Sequence, residues 1–238
     1  MKRYISDLHF FHDSLNRRMD CRGFESAEAL NAYMAERWNQ NVSRKDEVYI
    51  LGDLALAKGE AVNRLLRNLN GKLYLLIGNH DGYFLNDRAF DASRFEWIRP
   101  YAEIHDNQRK VILCHYPVFC YNGQNRLTDA GKPRTYMLYG HVHDTMDERL
   151  VNQFIGITRR TVRGAVPVSE VQAGDAEAVP ETAPGAAPEP SPSLGSRGPI
   201  PCNMINCFCM FSDYVPLPLD SWIEIDEKRR AALAAQGS

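Results

Sequence analysis

The chain has 238 residues, 44% of them hydrophobic and 24% charged, so most of it can bury a core. With 28 Lys and Arg against 30 Asp and Glu the formal charge is −2, which excludes a strong basic field for holding nucleic acid. The N-terminus turns polar after Ile5 and no window has the apolar length of a membrane helix, so neither a signal peptide nor a membrane span is expected.

In chain order, Arg3–Ser6 is the first expected strand. Ala27–Asn41 follows as a helix, with Leu30, Tyr33, Met34, Arg37 and Trp38 at helical spacing and Ser26 as its N-cap. Glu47–Leu51 and Lys72–Ile77 are short runs of Val, Ile, Leu and Tyr that suit buried strands. Between them Glu60–Asn70 repeats the helical spacing through Val62, Leu65, Leu66 and Leu69, and Asn70-Gly71 stops it. Glu103–His105 and Lys110–Cys114 flank Asp106-Asn107-Gln108-Arg109, a hairpin signal. Tyr136–Tyr139 is the next apolar run. Strand–helix alternation that gives way to a hairpin argues for an α/β fold with a mixed sheet.

The composition breaks sharply from Gly164 to Pro201, where eight of the 13 prolines lie between Pro167 and Pro201. No aromatic residue stands between Phe154 and Phe208. Such a stretch cannot bury enough apolar surface to offset its ordering entropy. The chain turns apolar again from Asn203 on, in a segment too short to fold alone. The expected organisation is therefore one domain made of residues 1–163 and 202–228, a disordered Pro/Ala/Glu-rich insertion at 164–201, and a tail at 229–238. The six cysteines form no CxxC pair and a domain of this size needs no disulfide staples. A reduced, cytoplasmic protein is expected.

The polar chemistry gathers just past strand ends. Asp7-Leu8-His9 follows the first strand, Gly52-Asp53 the second and Gly78-Asn79-His80-Asp81 the third. His115 follows Cys114, and Gly140-His141-Val142-His143 follows Tyr139. In α/β sheets that rim is where ligands bind. On extended backbone Asp7 with His9, and His141 with His143, would each point one way. Imidazole with carboxylate suits manganese, iron or zinc more than magnesium or calcium. The ligands are too many for one ion, whereas two ions about 3.5–4 Å apart would use them all and suit phosphoryl displacement. No cysteine joins the clusters, which argues against a structural zinc site. His105 reads as a structural or surface histidine in the hairpin.

These five blocks, in this order, closely resemble the calcineurin-like metallophosphoesterases, whose pattern is D-x-H, G-D, G-N-H-[DE], H and G-H-x-H. Asp7-Leu8-His9-Phe10-Phe11-His12, Arg22-Gly23-Phe24, Trp38-Asn39 and Tyr49-Ile50-Leu51-Gly52-Asp53 are most similar to the small bacterial and phage-type members. The insertion is foreign to that fold, and the N-V-G-C that members often carry soon after G-H-x-H is matched only by Asn206-Cys207-Phe208-Cys209, after the insertion and with Phe208 in place of Gly. The resemblance implies a four-layer α/β/β/α sandwich of two mixed sheets flanked by helices. It implies two divalent transition-metal ions, manganese first, with iron, zinc or nickel as alternatives. Asp7, His9, Asp53 and His143 would hold one; Asp53, Asn79, His115 and His141 would hold the other. His80 would face the phosphate, and Asp81 would orient it by hydrogen bond. A hydroxide bridging the metals would attack a phosphomonoester or phosphodiester.

His12, Arg22 and Asn39 are the candidates for substrate contact, Arg22 because a guanidinium matches a phosphate. Tyr116, Tyr121 and Asn122 could line the mouth. The expected partner is a small phosphoester, a nucleotide among them, with no membrane and no strong nucleic-acid signal. A metal-dependent nuclease on the same site is a second reading, against which the near-neutral charge counts. A non-catalytic scaffold on the same fold is a third, against which the retention of His80 and every ligand counts.

Overall fold

The computed structural model describes residues 1–161 and 199–236. Eight strands form two four-stranded sheets. The first holds β1 (Lys2–Ile5), β2 (Glu47–Ile50), β3 (Lys72–Leu76) and β4 (Phe95–Arg99), all parallel in that order. The second holds β5 (Tyr101–Asp106), β6 (Arg109–Cys114), β7 (Thr135–Tyr139) and β8 (Met204–Asn206). Only the β5–β6 hairpin in it is antiparallel. The expectation of two mixed sheets is thus corrected: one sheet is mixed and the other is parallel throughout. Each strand of the parallel sheet after β1 is reached through a crossover, the last of which carries the short α3 (Gly82–Leu85), and these crossovers put the helices on its outer face.

Period-2 alternation sorts the side chains into layers. Ile5, Val48, Ile50, Leu73 and Leu75 point outward onto α1 (Ala27–Asn41) and α2 (Gly59–Asn68), where Leu30, Met34, Trp38, Val62 and Leu66 meet them. Their neighbours Tyr4, Tyr49, Leu51 and Leu76 point inward to Val111, Leu113, Leu138 and Ile205 of the second sheet. The far face of that sheet, Ile112, Met137, Tyr139 and Met204, packs on Val151 and Ile155 of α4 (Met146–Arg160). The order is helix, sheet, sheet, helix, as the resemblance implied. Ser26 caps α1, accepting from Ala29 N at 3.1 Å.

Downstream of residue 198 the chain re-enters beside the point it left, with Ile200 N donating to Thr161 O at 3.1 Å. It adds β8 to the second sheet and then α5 (Leu219–Gln236), which lies across β1 and β8. Trp222 is fully buried there and its Nε1 donates to Tyr4 O at 2.8 Å. Residues 229–236, expected as a tail, continue α5, and Arg230 donates to Met204 O at 3.0 Å. The expected insertion at 164–201 lies outside the described residues except for its last three. No helix among the described residues is long and apolar enough to cross a membrane. All six cysteines are free thiols.

Candidate metal centre

The carboxyl ends of β1, β2, β3, β6 and β7 converge on one rim, because within each sheet these strands run parallel. The loops there leave the extended conformation at once. Asp7, His9, Asp53, His141 and His143 all have positive φ, at 54°, 47°, 52°, 71° and 48°. The alternating pairs therefore reach one site through left-handed turns and not along extended backbone, which corrects the expectation from spacing. Each such residue costs about 1–3 kcal/mol and persists only where its surroundings force it. Hydrogen bonds do so here. Asp7 accepts from His141 N at 3.0 and 3.1 Å, and Asp53 accepts from His80 N at 2.8 Å.

Two glycines make room for these carboxylates. A Cβ on Gly78 would stand 2.3 Å from Asp53 Oδ1, and one on Gly140 would stand 2.4 Å from Asp7 Oδ2. Both distances are well inside van der Waals contact, so the glycine in each motif is steric in origin.

The donor atoms face one another. Asp7, His9 and His143 each present a ligand atom within 4.8 Å of the others, and so do Asp7, Asp53 and His115. All five side chains are buried. His9 Nε2 has no hydrogen-bond partner among the described residues and lies 3.4 Å from Asp53 Oδ2. His115 Nδ1 donates to Leu51 O at 2.8 Å, which leaves Nε2 as an acceptor, 2.9 Å from Asn79 Oδ1 and 3.5 Å from Asp53 Oδ2. His141 Nδ1 also meets Asn79 Oδ1 at 2.9 Å. Acceptors turned toward acceptors, with one buried nitrogen unpartnered, are the arrangement that a cation completes. Burial pushes the Asp7 carboxyl above its ordinary value. Burial, with His143 and Arg22 nearby, holds His9 far below its own, so its imidazole is neutral and free to ligate.

The family model described as Calcineurin-like phosphoesterase matches residues 4–165, more than half of the chain. The chain belongs to the calcineurin-like phosphoesterase family. An uncharacterized protein of Methanocaldococcus jannaschii is 32% identical over 167 residues, 69% of this chain and 80% of its own. The Gene 66 protein of Mycobacterium phage L5 is 29% identical over 171 residues, 60% of this chain and 77% of its own. A crystal structure of a protein of unknown function from Aquifex aeolicus aligns over 91% of this chain and 94% of that one, with 17% identity and a TM-score of 0.49.

A cavity of about 480 Å³ opens over four of the five motif blocks, with His115 not among the residues that line it. His9, Asp53, Asn79, His80, His141 and His143 line its floor, and His12, Arg18, Met19 and Thr145 its walls. His80 is half-buried at the edge, its ring 5.2 Å from that of His9 and 5.9 Å from that of His12. His12 Nδ1 lies 3.2 Å from His9 Nδ1. Of the three residues expected to contact substrate, His12 alone lines the cavity. Arg22 is buried beneath it and spends its donors on Asp20 and on the Asp7 and Leu8 carbonyls, so it is not free for phosphate. Asn39 lies away from the site and ties α1 to the end of α2, donating to Asn68 O at 2.7 Å and accepting from Asn70 N at 2.8 Å.

Asp81 also departs from its expected role. Its carboxylate accepts from Asp53 N, Leu54 N and Gly78 N at 3.0, 2.8 and 2.8 Å, and it does not hold the His80 ring. It clamps the loop after β2 to the loop after β3. Burial raises its carboxyl to about 6, against the lowering effect of the Gly78 and Leu54 N–H bonds. Tyr116 does not line the cavity; its ring packs against that of His141, with centroids 4.6 Å apart. Tyr121 and Asn122 instead brace Asn203 and Glu103. The Asn206-Cys207-Phe208-Cys209 segment returns to the site despite its late position. Asn206 donates to His143 O at 2.8 Å, and the Cys209 thiol to Asp7 O at 3.1 Å. Phe208 packs on the His143 ring, with centroids 4.7 Å apart. Outside the five motif blocks, Asp20, Asn206, Phe208 and Cys209 touch His143 or Asp7. Asn206 carried a signal, the N-x-x-C pattern after the insertion. Asp20 had only its place two residues before Arg22.

Proposed function

We propose that the protein is a binuclear, metal-dependent phosphoesterase acting on small phosphate esters, a nucleotide among them. The observation that supports this is the convergence of seven ligating side chains, with acceptor facing acceptor, beneath a cavity whose rim carries His80. One ion would be held by Asp7, His9, Asp53 and His143, and the other by Asp53, Asn79, His115 and His141. Asp53 is shared between them. Mixed imidazole, carboxylate and amide donors suit manganese, with iron, zinc and nickel as alternatives. Such ions, when bound, supply positive charge for the phosphate oxygens and an acidified water near neutral pH.

The chain's own residues do the rest. The hydrogen bond from His80 N fixes the Asp53 carboxylate, and the loop clamp by Asp81 fixes both loops that carry the ligands. His80 presents its imidazole to the cavity, placed to give a proton or hydrogen bond to the leaving oxygen. His12 and Arg18 line the wall where the ester's remaining group would lie. A volume of about 480 Å³ suits a small ester and not a folded macromolecule. Free thiols and the absence of an apolar spanning helix among the described residues support a cytoplasmic location.

The test is turnover of p-nitrophenyl phosphate and bis-p-nitrophenyl phosphate by metal-stripped protein to which manganese is returned. Hydrolysis of one or both should appear with about two ions per chain and vanish with chelator. Protein that holds two ions and turns over neither substrate, with any of the four metals, would remove the catalytic reading.

A further inference from the structure

His143 is held from behind by a residue that no motif contains. Asp20 follows the tight helical turn Leu15–Met19 and closes it, its N–H donating to Leu15 O. Its Oδ1 lies 2.8 Å from His143 Nδ1, and both side chains are 3% exposed. Its Oδ2 accepts from Arg22 Nε at 3.0 Å and from Arg22 Nη2 at 2.8 Å. Arg22, fully buried, also donates from Nη1 to Leu8 O at 2.7 Å and from Nη2 to Asp7 O at 2.9 Å. The guanidinium thus ties the carboxylate to the backbone of the very turn that presents Asp7 and His9.

The chemistry of this chain of contacts has one direction. A carboxylate paired with a guanidinium can only accept, so the proton of the neutral imidazole sits on Nδ1. Nε2 is then the ligating nitrogen, and it is the atom that faces Asp7 Oδ1, at 3.7 Å. Asn206 holds the His143 carbonyl and Phe208 covers its ring face, so the backbone and one face are fixed independently. Among the described residues Asp20 alone makes a hydrogen bond to the ring, and that bond sets its tautomer. We propose that Asp20, locked by Arg22, is a positioning residue that orients His143 for metal binding, so that the affinity for one of the two ions depends on it. The inference rests on the binuclear reading of the same site and names a residue outside its ligand set.

The test is manganese titration of metal-stripped wild-type, Asp20→Ala and Asp20→Asn proteins, followed by calorimetry and by the spin signal of the free ion. Asp20→Ala should weaken one ion by about 10–100-fold and leave the other near its wild-type affinity. Asp20→Asn should lose affinity as well, because its amide oxygen is drawn to the Arg22 donors and its NH2 then faces Nδ1, which drives the ring proton onto the ligating Nε2. With both ions restored by excess manganese, kcat should recover. Wild-type affinity for both ions in Asp20→Ala would overturn the inference while leaving the metal reading intact. Wild-type protein that binds no manganese would overturn the metal reading and this inference with it. Should Asp20→Ala not fold, nitrogen-15 histidine spectra of the metal-free wild-type chain decide the matter, with His143→Gln assigning the signal. At a pH where the ring is neutral, His143 should carry its proton on Nδ1, and a proton on Nε2 would overturn the inference.

Discussion

At the scale of single residues, His80 and the ligands around it separate binding from chemistry. The His80 backbone serves Asp53, whereas its ring looks into the cavity and belongs to neither of the buried ligand groups. His80→Ala should therefore keep both ions, while kcat on an alkyl phosphate falls by about 10²–10⁴-fold. The loss should be smaller on p-nitrophenyl phosphate, whose leaving group needs little protonation. Metal content and kcat measured on both esters check it. Loss of an ion, or an unchanged kcat on the alkyl ester, would take His80 off the list of catalytic residues. The residues that gather at the rim, His80 among them, were legible in the sequence because each sits in a short block at a strand end. Arg22 and Asn39 misled because residue type alone cannot show direction. A guanidinium suited to phosphate is equally suited to Asp20 and two carbonyls, and only the fold decides between them. Asp81 shows the same limit, since adjacency to His80 places its carboxylate beside a neighbouring loop's N–H groups and not beside the imidazole.

At the scale of elements, helices α1 and α2 and the parallel strands obeyed simple periods, whereas α4 and α5 did not. In α4 a buried Glu148 takes a core-facing place, held by Tyr139, Asn206 and Arg229, while Met146, Leu150 and Ile157 face outward. Its charges were the better signal, with Asp147 and Glu148 in the first turn and Arg159 and Arg160 in the last. In α5 the series Leu219, Trp222, Ile223 ends on Asp226, a buried acid paired with Arg230. Both helices hide their period by burying a paired charge. The joint between α1 and β2 uses a charge as well. Asp46 accepts from Ser43 N at 2.9 Å and from Arg3 Nε of β1 at 2.9 Å. Against the burial that would raise it, these bonds hold its carboxyl at about 2. A depressed folded value means stability that is present above the unfolded value of about 4 and is lost as pH falls toward about 2. Asp46→Asn should lower the melting temperature at pH 7, by the equivalent of about 1–3 kcal/mol, and narrow the gap to wild type as the pH drops through that window. Thermal melts from pH 7 to pH 2 check the sign. A gap that stays constant with pH would show that the carboxylate's charge is not what holds the joint.

At the scale of the whole molecule, the centre depends on a segment that arrives late in the chain. β8 and the turn after it supply Asn206 to His143 and Cys209 to Asp7, and Ser6 pairs with Phe208 to join the two sheets at the rim. The candidate metal centre is therefore complete only when residues on both sides of 162–198 fold together. The ends of that interval already meet, since Ile200 N and Thr161 O are 3.1 Å apart. A connection between adjacent points needs little length, and closure entropy grows only logarithmically with it. Replacing residues 164–198 by a linker of about six Gly and Ser should then keep manganese binding and turnover. It should raise stability slightly, by about 1–2 kcal/mol from the shorter closure. Denaturant unfolding and activity of the shortened chain against the full one check this. Loss of β8-dependent properties, seen as weaker manganese binding with the rest of the fold intact, would show that the interval itself holds the last strand in place. The composition of 164–201, rich in proline and empty of aromatic residues, offers little apolar surface with which to do so. Retention of both ions would place the whole requirement on the two hydrogen bonds from Asn206 and Cys209 and on the register of β7 with β8.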